Sequence, residues 1–223
     1  MKYGEAFSAW RERSKSWHAY VTHDFVEGLR RGDLPRSAFL HYLRQDYVFL
    51  VHFSRAWALA VAKAETLEEM KTASATVNAL VNEEMRLHVQ TCAAEGISEE
   101  ELFATVEAQE NLAYTRYVLE AGYSGDFLDL MATLAPCVMG YGEIGVRLLP
   151  EVDGNQYADW IQVYGGQEYQ ELCENVGSLI DAAMARRIGA GYMNSPRWIS
   201  LSEKFETATS LEVGFWRMGF RGE

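Results

Sequence analysis

Apolar residues recur along this chain at spacings of three and four residues, which is the period of an α-helix. The four prolines stand at positions 35, 136, 150 and 196, so long stretches are free of the strongest helix breaker. The alternation of apolar and polar residues that is typical of strands does not occur. The pattern predicts seven helices, over residues 5–30, 36–64, 67–95, 99–122, 126–149, 155–187 and 197–220.

The connections between these helices are short. Gly-Asp-Leu-Pro at 32–35 separates the first two helices, and residues 187–197 form the longest predicted loop. Ser200 and Glu203 have the spacing of a capping box that opens the last helix. With 48% hydrophobic residues and no linker rich in Pro, Gly or Ser, we predict an all-α protein, a single compact multi-helix bundle in which residues 1–223 form one domain.

Composition narrows the classes of partner. Lys and Arg number 20 against 32 Asp and Glu, and the resulting net charge of −12 disfavours nucleic acid and anionic membranes. Because no apolar run approaches membrane-spanning length, we expect a soluble protein. The three cysteines lack metal-ligand spacing, and the N-terminus lacks the apolar region of a secretory signal. These features predict a cytoplasmic location.

Acidic residues within apolar stripes are candidates for a functional site. Asp46 lies at helical spacing from Tyr42 and Phe49, and burial of its carboxylate would require a partner. The alternative is that Asp46 borders the core and bonds a nearby backbone amide or arginine. Glu212 similarly shares a face with Phe215, and the alternative for it is a surface glutamate near the end of the chain.

Two further acidic residues are interpreted as surface groups. Glu84 and His88 are four residues apart in the third predicted helix, so we expect a pair on the helix surface. Glu143 and Arg147 have the same spacing in the fifth helix, and we expect an ion pair without catalytic chemistry.

Cys137 directly follows Pro136, which we interpret as the opening of a helix. The amide groups and dipole at a helix N-terminus favour an anion, and the thiolate is the nucleophilic form of cysteine. However, Cys137 also lies in an apolar stripe that runs from Leu134 to Leu148, which favours a buried structural thiol. Tyr164, just before a Gly-Gly pair, is open to two interpretations in the same way: a hydroxyl in a cavity, or a core aromatic.

Four separated motifs together resemble the TenA/thiaminase II family, in order and spacing, over nearly the whole chain. They are Gln45-Asp46-Tyr47-x-Phe49-Leu50, Pro136-Cys137-x-x-x-Tyr141-x-Glu143-Ile144-Gly145, Trp160-Ile161-x-x-Tyr164-Gly165-Gly166 and Glu212-x-x-Phe215-Trp216. The resemblance implies a haem-oxygenase-like helical fold without haem, a homotetramer, and no cofactor or metal. It also implies hydrolysis of the C–N bond at the pyrimidine methylene of 4-amino-5-aminomethyl-2-methylpyrimidine and of thiamin, in thiamin salvage.

The resemblance also assigns roles to individual residues. Cys137 matches the family's nucleophile, Glu212 its acid/base, and Asp46 the carboxylate that holds the pyrimidine. The residues that match pocket positions are Tyr114, Tyr141, Tyr164 and Phe215. Phe49 stands where some members have a tyrosine, so one hydroxyl is missing from the expected pocket.

Two alternatives come from other classes of protein. A di-iron or haem oxidase is one, but a di-iron bundle needs Glu-x-x-His twice, and Glu84 and His88 are four residues apart with no second pair. A non-catalytic pyrimidine-binding or regulatory protein is the other, and the presence of Cys137 argues against it. The sequence leaves open whether thiamin or the aminomethylpyrimidine is the physiological substrate.

Overall fold

Helices form all the regular secondary structure in residues 3–221, the part of the chain that the computed structural model describes. This confirms the predicted all-α fold. Two single 3₁₀ turns accompany the longer helices, and a π-helical turn, Leu80–Glu84, joins α5 to α6. The α-helices are α1 Glu5–Arg13, α2 Trp17–Val21, α3 Asp24–Arg31, α4 Arg36–Lys63, α5 Leu67–Ala79, α6 Met85–Ala94, α7 Glu99–Phe103, α8 Gln109–Ser124, α9 Phe127–Leu148, α10 Ala158–Gly165, α11 Gln167–Arg187 and α12 Pro196–Gly219.

The prediction of one continuous helix over residues 5–30 was wrong, because this segment is divided into α1, α2 and α3. At both breaks, a side chain accepts a hydrogen bond from a backbone amide. Ser14 Oγ accepts from the amide of Trp17 at 3.1 Å and donates to Glu206 at 2.6 Å. His23 Nδ1 accepts from the amide of Phe25 at 3.2 Å, as the cap of α3. Such local bonds offer the backbone an alternative to the helix.

Two other predicted helices are also interrupted. The helix predicted over 99–122 is broken between α7 and α8, where Gln45 bonds the carbonyl of Val106 at 2.9 Å and the amide of Ala108 at 3.0 Å. The helix predicted over 155–187 begins at Ala158 and is broken at Gly166, whose backbone is extended.

The last helix begins earlier than its predicted capping box. Ser195 Oγ accepts from the amide of Trp198 at 3.1 Å, and Pro196 occupies the first position of α12. Proline suits that position because its missing N–H has no helical partner there. The prediction that Ser200 and Glu203 open this helix was therefore wrong.

Contacts between Cα atoms divide the described chain into two compact units. The first unit contains the residues up to Leu34 together with Met131–Val213, and the second contains Pro35–Leu130 together with the residues from Gly214 on. The division falls within α9 and within α12. The organisation of residues 1–223 as one domain stays a prediction.

The first unit is organised around α9, which is buried along most of its length. Two glycines in α9 allow neighbouring helices to approach closely. A Cβ at Gly140 would lie 2.1 Å from the ring of Tyr20, and a Cβ at Gly145 would lie 2.3 Å from the backbone nitrogen of Gly165. Since real Cβ atoms do not approach this closely, only glycine permits α2 and α10 to pack so near to α9.

The second unit is organised around α4, which packs against α5, α6, α7 and α8. Its buried face carries mostly large apolar side chains, among them Phe39, Leu43, Phe53 and Trp57. Burial of such side chains is the main favourable contribution to folding. None of the helices in the described part of the chain is long and apolar enough to cross a membrane.

Candidate active site

In the first unit, α9 and α10 bring together three of the predicted site residues. Cys137 and Tyr141 lie one turn apart on α9, and the ring centroids of Tyr141 and Tyr164 are 4.9 Å apart. Trp160 extends this group, with its ring centroid 4.6 Å from that of Tyr164. The close approach of Gly145 to α10 positions Tyr164, because Tyr164 immediately precedes Gly165 at the point of contact.

Cys137 does not lie at a helix start. The helix α9 begins ten residues earlier and passes through Pro136 without ending. The helix predicted over 126–149 agrees with α9, but the separate interpretation of Pro136 as a helix start was wrong, and so the helix dipole gives no reason for an anionic thiol at this position. Pro136 still alters the helix locally, because a proline has no N–H to donate to the carbonyl four residues before it.

Exposure nevertheless distinguishes Cys137 from the two other thiols. All three cysteines are free. The relative solvent exposure of Cys137 is 8%, whereas that of Cys92 and of Cys173 is 0%. Burial raises the pKa of Cys92 to about 11 and raises the pKa of Cys173 further still. Those two thiols are thereby kept protonated and unreactive at neutral pH.

Glu212 is only 1% exposed, so the alternative of a surface glutamate was wrong. It lies on α12, one turn before Phe215. A buried glutamate has a carboxyl group shielded from water, which is the environment that suits a carboxyl group to proton transfer near neutral pH.

In the second unit, the aromatic site residues lie around Phe49. Its ring centroid is 5.0 Å from that of Tyr114 on α8 and 5.4 Å from that of Phe215 on α12. Phe53, one turn further along α4, stacks on Phe49 at 5.1 Å. These rings form a buried aromatic cluster within the second unit.

Asp46, one turn before Phe49 on α4, is buried and has two side-chain partners. Its Oδ2 accepts from the hydroxyl of Tyr42 at 3.0 Å and lies 2.6 Å from Nε2 of His88. The core-border interpretation expected a backbone amide or an arginine as partner. The partners are instead a tyrosine and a histidine that are themselves buried.

The sequence interpretation of His88 as half of a surface pair was wrong. His88 is 1% exposed, its Nδ1 lies 2.9 Å from the backbone carbonyl of Glu84, and its Nε2 faces Asp46. Burial lowers the pKa of His88, but the hydrogen bond that its ring donates to Asp46 and the negative charge of Asp46 outweigh burial and raise the pKa above its usual value. Helical spacing alone contained no signal for this pair, because the partners are 42 residues apart.

The prediction that Glu143 and Arg147 form an ion pair with each other was also wrong. Glu143 binds Arg11 at 2.6 Å and the indole nitrogen of Trp17 at 3.2 Å, whereas Arg147 binds Glu27 at 2.7 Å. Both side chains therefore fasten α9 to the first three helices, and neither takes part in the groups of site residues described above.

Gln45 and Asn111 hold α4 against α8 beside the aromatic group of the second unit. Asn111 Nδ2 donates to the backbone carbonyl of Gln45 at 2.8 Å and to its side-chain oxygen at 3.0 Å. Since Asn111 precedes Tyr114 by one turn, this clamp sets the position of the tyrosine relative to Phe49 and Asp46. From the sequence, Gln45 was identified only as part of a motif, and Asn111 was not identified at all.

In residues 3–221, no three His, Cys, Asp or Glu side chains are grouped in a way that could hold a metal ion. His88 and Asp46 form a pair, not a metal cage.

Comparison with known proteins places the chain in a family. The model of the TENA/THI-4/PQQC family matches residues 10–222, and the chain belongs to this family. The aminopyrimidine aminohydrolase of Halalkalibacterium halodurans is 35% identical over 218 residues, which are 96% of this chain and 95% of that protein. An uncharacterized protein of Haemophilus influenzae is 37% identical over 206 residues, 91% of this chain and 93% of that one.

Solved structures agree with this assignment. The crystal structure of a TenA family transcription regulator from Silicibacter sp. TM1040 is 64% identical to this chain, with a TM-score of 0.96 and coverage of 98% of this chain and 97% of that one. A TenA homologue from P. horikoshii is 27% identical, with a TM-score of 0.87 and coverage of 98% and 99%. The predicted family and fold are thus confirmed.

The raised pKa of His88 leads to a testable effect on stability. A group whose pKa is higher in the folded state stabilises that state fully below its unfolded pKa, and the contribution is lost as pH rises through the folded pKa. We therefore expect the stability lost in a His88→Gln variant to be larger at pH 6 than at pH 9. Urea unfolding at both pH values measures this, with His18→Gln, at an exposed position, as control. A loss that is the same at both pH values would contradict the prediction.

Proposed function

We propose that this protein is an aminopyrimidine aminohydrolase of thiamin salvage. It hydrolyses the C–N bond at the pyrimidine methylene of 4-amino-5-aminomethyl-2-methylpyrimidine, and of thiamin, to give the hydroxymethylpyrimidine. One observation carries this proposal. The chain matches an enzyme of that name over 96% of its length, and it retains Cys137, Glu212 and Asp46 as nearly buried polar residues of the family motifs.

Cys137 acts in this proposal as a covalent catalyst. Its thiolate adds to the ring carbon beside the methylene, and the ring, no longer aromatic, uses its nitrogen lone pairs to expel the amine, or the thiazole of thiamin. Water then adds to the exocyclic methylene, the thiolate leaves and aromaticity returns. The reaction needs a group that is both a good nucleophile and a good leaving group, and cysteine is both. The support in this chain is that Cys137 is the most exposed of the three thiols.

Glu212 moves protons in the same proposal. As an acid it gives a proton to the departing amine, and as a base it takes one from the incoming water. One carboxyl group can serve both steps if its surroundings keep it poised near neutral pH. Its nearly complete burial on α12 supports this role.

Asp46 and the aromatic side chains bind the ring. A carboxylate accepts hydrogen bonds from an aminopyrimidine, and flat aromatic faces cover the apolar parts of the ring. The residues proposed to provide such faces are those at pocket positions of the family motifs: Phe49, Tyr114, Tyr141, Tyr164 and Phe215. The support for Asp46 is that its partners Tyr42 and His88 hold it in one orientation.

Kinetics with two substrates test the function. We expect hydrolysis of both thiamin and the aminomethylpyrimidine, and the ratio of their kcat/KM values identifies the preferred substrate. Absence of hydrolysis of both compounds by a folded wild-type protein would refute the proposal.

A regulatory function is the second candidate, since the Silicibacter relative at 64% identity is named a transcription regulator. A regulator of this kind would bind a pyrimidine without turning it over. The net charge of −12 argues against direct binding to DNA. Tight binding of hydroxymethylpyrimidine by a protein that hydrolyses neither substrate would favour this candidate.

An Asp46→Asn variant tests the binding role. The change keeps the size of the side chain but removes the charge and turns an acceptor-only group into one that also donates. We expect KM for the aminomethylpyrimidine to rise about tenfold or more and kcat to fall. If both constants stay within about twofold of wild type, less than ~0.5 kcal/mol, Asp46 has only a structural role.

Assembly and location belong to the same proposal. We propose a cytoplasmic homotetramer, supported by family membership, by three free thiols and by exposed apolar side chains such as Phe103 and Val106. Large apolar side chains of this kind suit a subunit contact. Analytical ultracentrifugation at micromolar concentration should show a species four times the 25.2 kDa chain mass, and a monomer alone would contradict the assembly.

A further inference from the structure

We propose that His88 is a positioning residue for Asp46, holding one carboxylate oxygen so that the other is presented to the pyrimidine. This inference rests on the proposed function, because it concerns the residue that binds the ring there. No part of the family motifs quoted above contains His88. It is assigned by three contacts within the second unit.

The first contact fixes the proton on Nδ1 of His88. That atom lies 2.9 Å from the carbonyl oxygen of Glu84, at the end of the π-helical turn. A carbonyl oxygen only accepts hydrogen bonds, so Nδ1 must carry the hydrogen. The ring orientation is therefore set from the helix itself, and Nε2 points at Asp46. The hydrogen bond of one ring nitrogen thus fixes the tautomer and the direction in which the other nitrogen points.

The second and third contacts commit Oδ2 of Asp46. Nε2 of His88 lies 2.6 Å from that oxygen, and the hydroxyl of Tyr42 donates to it at 3.0 Å. Among the described residues, none donates a hydrogen bond to Oδ1. All three side chains are nearly fully buried, which prevents water from replacing either partner. The carboxylate thus has one oxygen, Oδ2, with two partners, and one oxygen, Oδ1, that accepts from no described residue.

One hydrogen lies between Nε2 of His88 and Oδ2 of Asp46, because two bare acceptor atoms 2.6 Å apart would repel each other. With Nδ1 also protonated, a hydrogen on Nε2 makes the ring an imidazolium. Burial lowers the pKa of His88, but the hydrogen bond to Asp46 and the negative charges of Asp46 and Glu84 raise it overall, which favours this form. Tyr42 acts on the same contact through its hydrogen bond to Asp46. A carboxylate that accepts from His88 through Oδ2 keeps Oδ1 as an acceptor for an aminopyrimidine.

Nitrogen NMR of the histidines tests the pair without reference to catalysis. The chain has five histidines, and comparison with His88→Gln assigns the signals of His88. We expect a protonated Nδ1 in the wild type and a marked shift of the Nε2 signal in Asp46→Asn, with no change in His18→Gln. A bare Nδ1, or His88 signals that do not respond to Asp46→Asn, would overturn the proposal.

Kinetics and binding test the positioning. We expect His88→Leu to raise KM for the aminomethylpyrimidine, and the Kd for hydroxymethylpyrimidine, about tenfold with a smaller effect on kcat. His88→Gln places an amide N–H near the position of Nε2 and should recover most of this loss. Thermal unfolding of both variants shows whether the fold is kept, and if His88→Leu does not fold, His88→Gln and the NMR experiment decide.

A double variant separates positioning from general destabilisation. If His88 acts through Asp46, His88→Leu combined with Asp46→Asn should bind no worse than Asp46→Asn alone. Losses that add would overturn the proposal. If the wild type binds hydroxymethylpyrimidine but hydrolyses neither substrate, the proposed function fails while the Kd comparison still decides the role of His88. If it does not bind, the proposed role of Asp46 fails as well.

Discussion

The Cys137→Ser variant is expected to fold like the wild type and to lose nearly all hydrolysis of both substrates. A serine hydroxyl is not ionised at neutral pH without a dedicated base, and as an alkoxide it is a poor leaving group. Both steps of the covalent route fail together, so the loss should appear in kcat. Steady-state kinetics at saturating substrate measures it.

The other two cysteines provide matched controls for this variant. We expect Cys92→Ser and Cys173→Ser to retain activity near wild type. A serine at position 173 can donate to the carbonyl of Val138, which lies 3.4 Å from the thiol that it replaces. Thermal unfolding checks that the buried hydroxyls do not disturb the fold.

Alkylation mapped by mass spectrometry provides an independent measurement. Cys137 is more exposed than Cys92 and Cys173, and the pKa values of these two are raised by burial, so label should appear first at Cys137 and be prevented by substrate. Substrate-protected labelling at Cys92 or Cys173, with none at Cys137, would contradict the assignment of the nucleophile.

The Glu212→Gln variant is expected to lower kcat by about 10²–10⁴-fold, the contribution of one general acid–base group. Glutamine keeps the size and hydrogen-bonding reach of the side chain but cannot transfer a proton. Glu203→Gln is the control, since Glu203 lies on the same helix but is exposed. It should leave kcat unchanged.

The two leaving groups separate the acid role of Glu212 from its base role. The amine of the aminomethylpyrimidine needs a proton to depart, whereas the thiazolium of thiamin leaves as a neutral thiazole. Glu212→Gln should therefore harm the amine substrate more than thiamin if the acid role dominates. Equal losses would point to water activation or binding. An unchanged kcat would exclude Glu212 from the mechanism, and Glu84 would be the next carboxylate to test.

The predicted helix boundaries agree with the structure where they depend on a periodic apolar pattern within the helix itself. The 36–64 helix is predicted to within one residue of α4, Arg36–Lys63, because its apolar stripe is long and uninterrupted. The break between α7 and α8 has no such local signal. It depends on Gln45, about 60 residues away, which bonds the backbone of the connecting segment.

Proline shows how a local signal can mislead. Pro136 predicts a helix start, yet α9 continues through it, because the apolar residues on both sides of the proline are buried in the core. The loss of one helical hydrogen bond is outweighed by that burial. The expectation of a dipole-activated thiol at Cys137 was therefore wrong, although Cys137 remains the proposed nucleophile.

The sequence by itself determined the all-helical class, the family and every residue proposed here for catalysis, because these follow from periodicity and from motifs of fixed spacing. Only the tertiary structure decided the partners of those residues. Nothing near Asp46 in the sequence indicates that it binds His88, and nothing near His88 indicates that it is buried. The physical reason is that burial and hydrogen bonding between distant helices depend on how the helices pack, and a pattern along one helix does not contain that information.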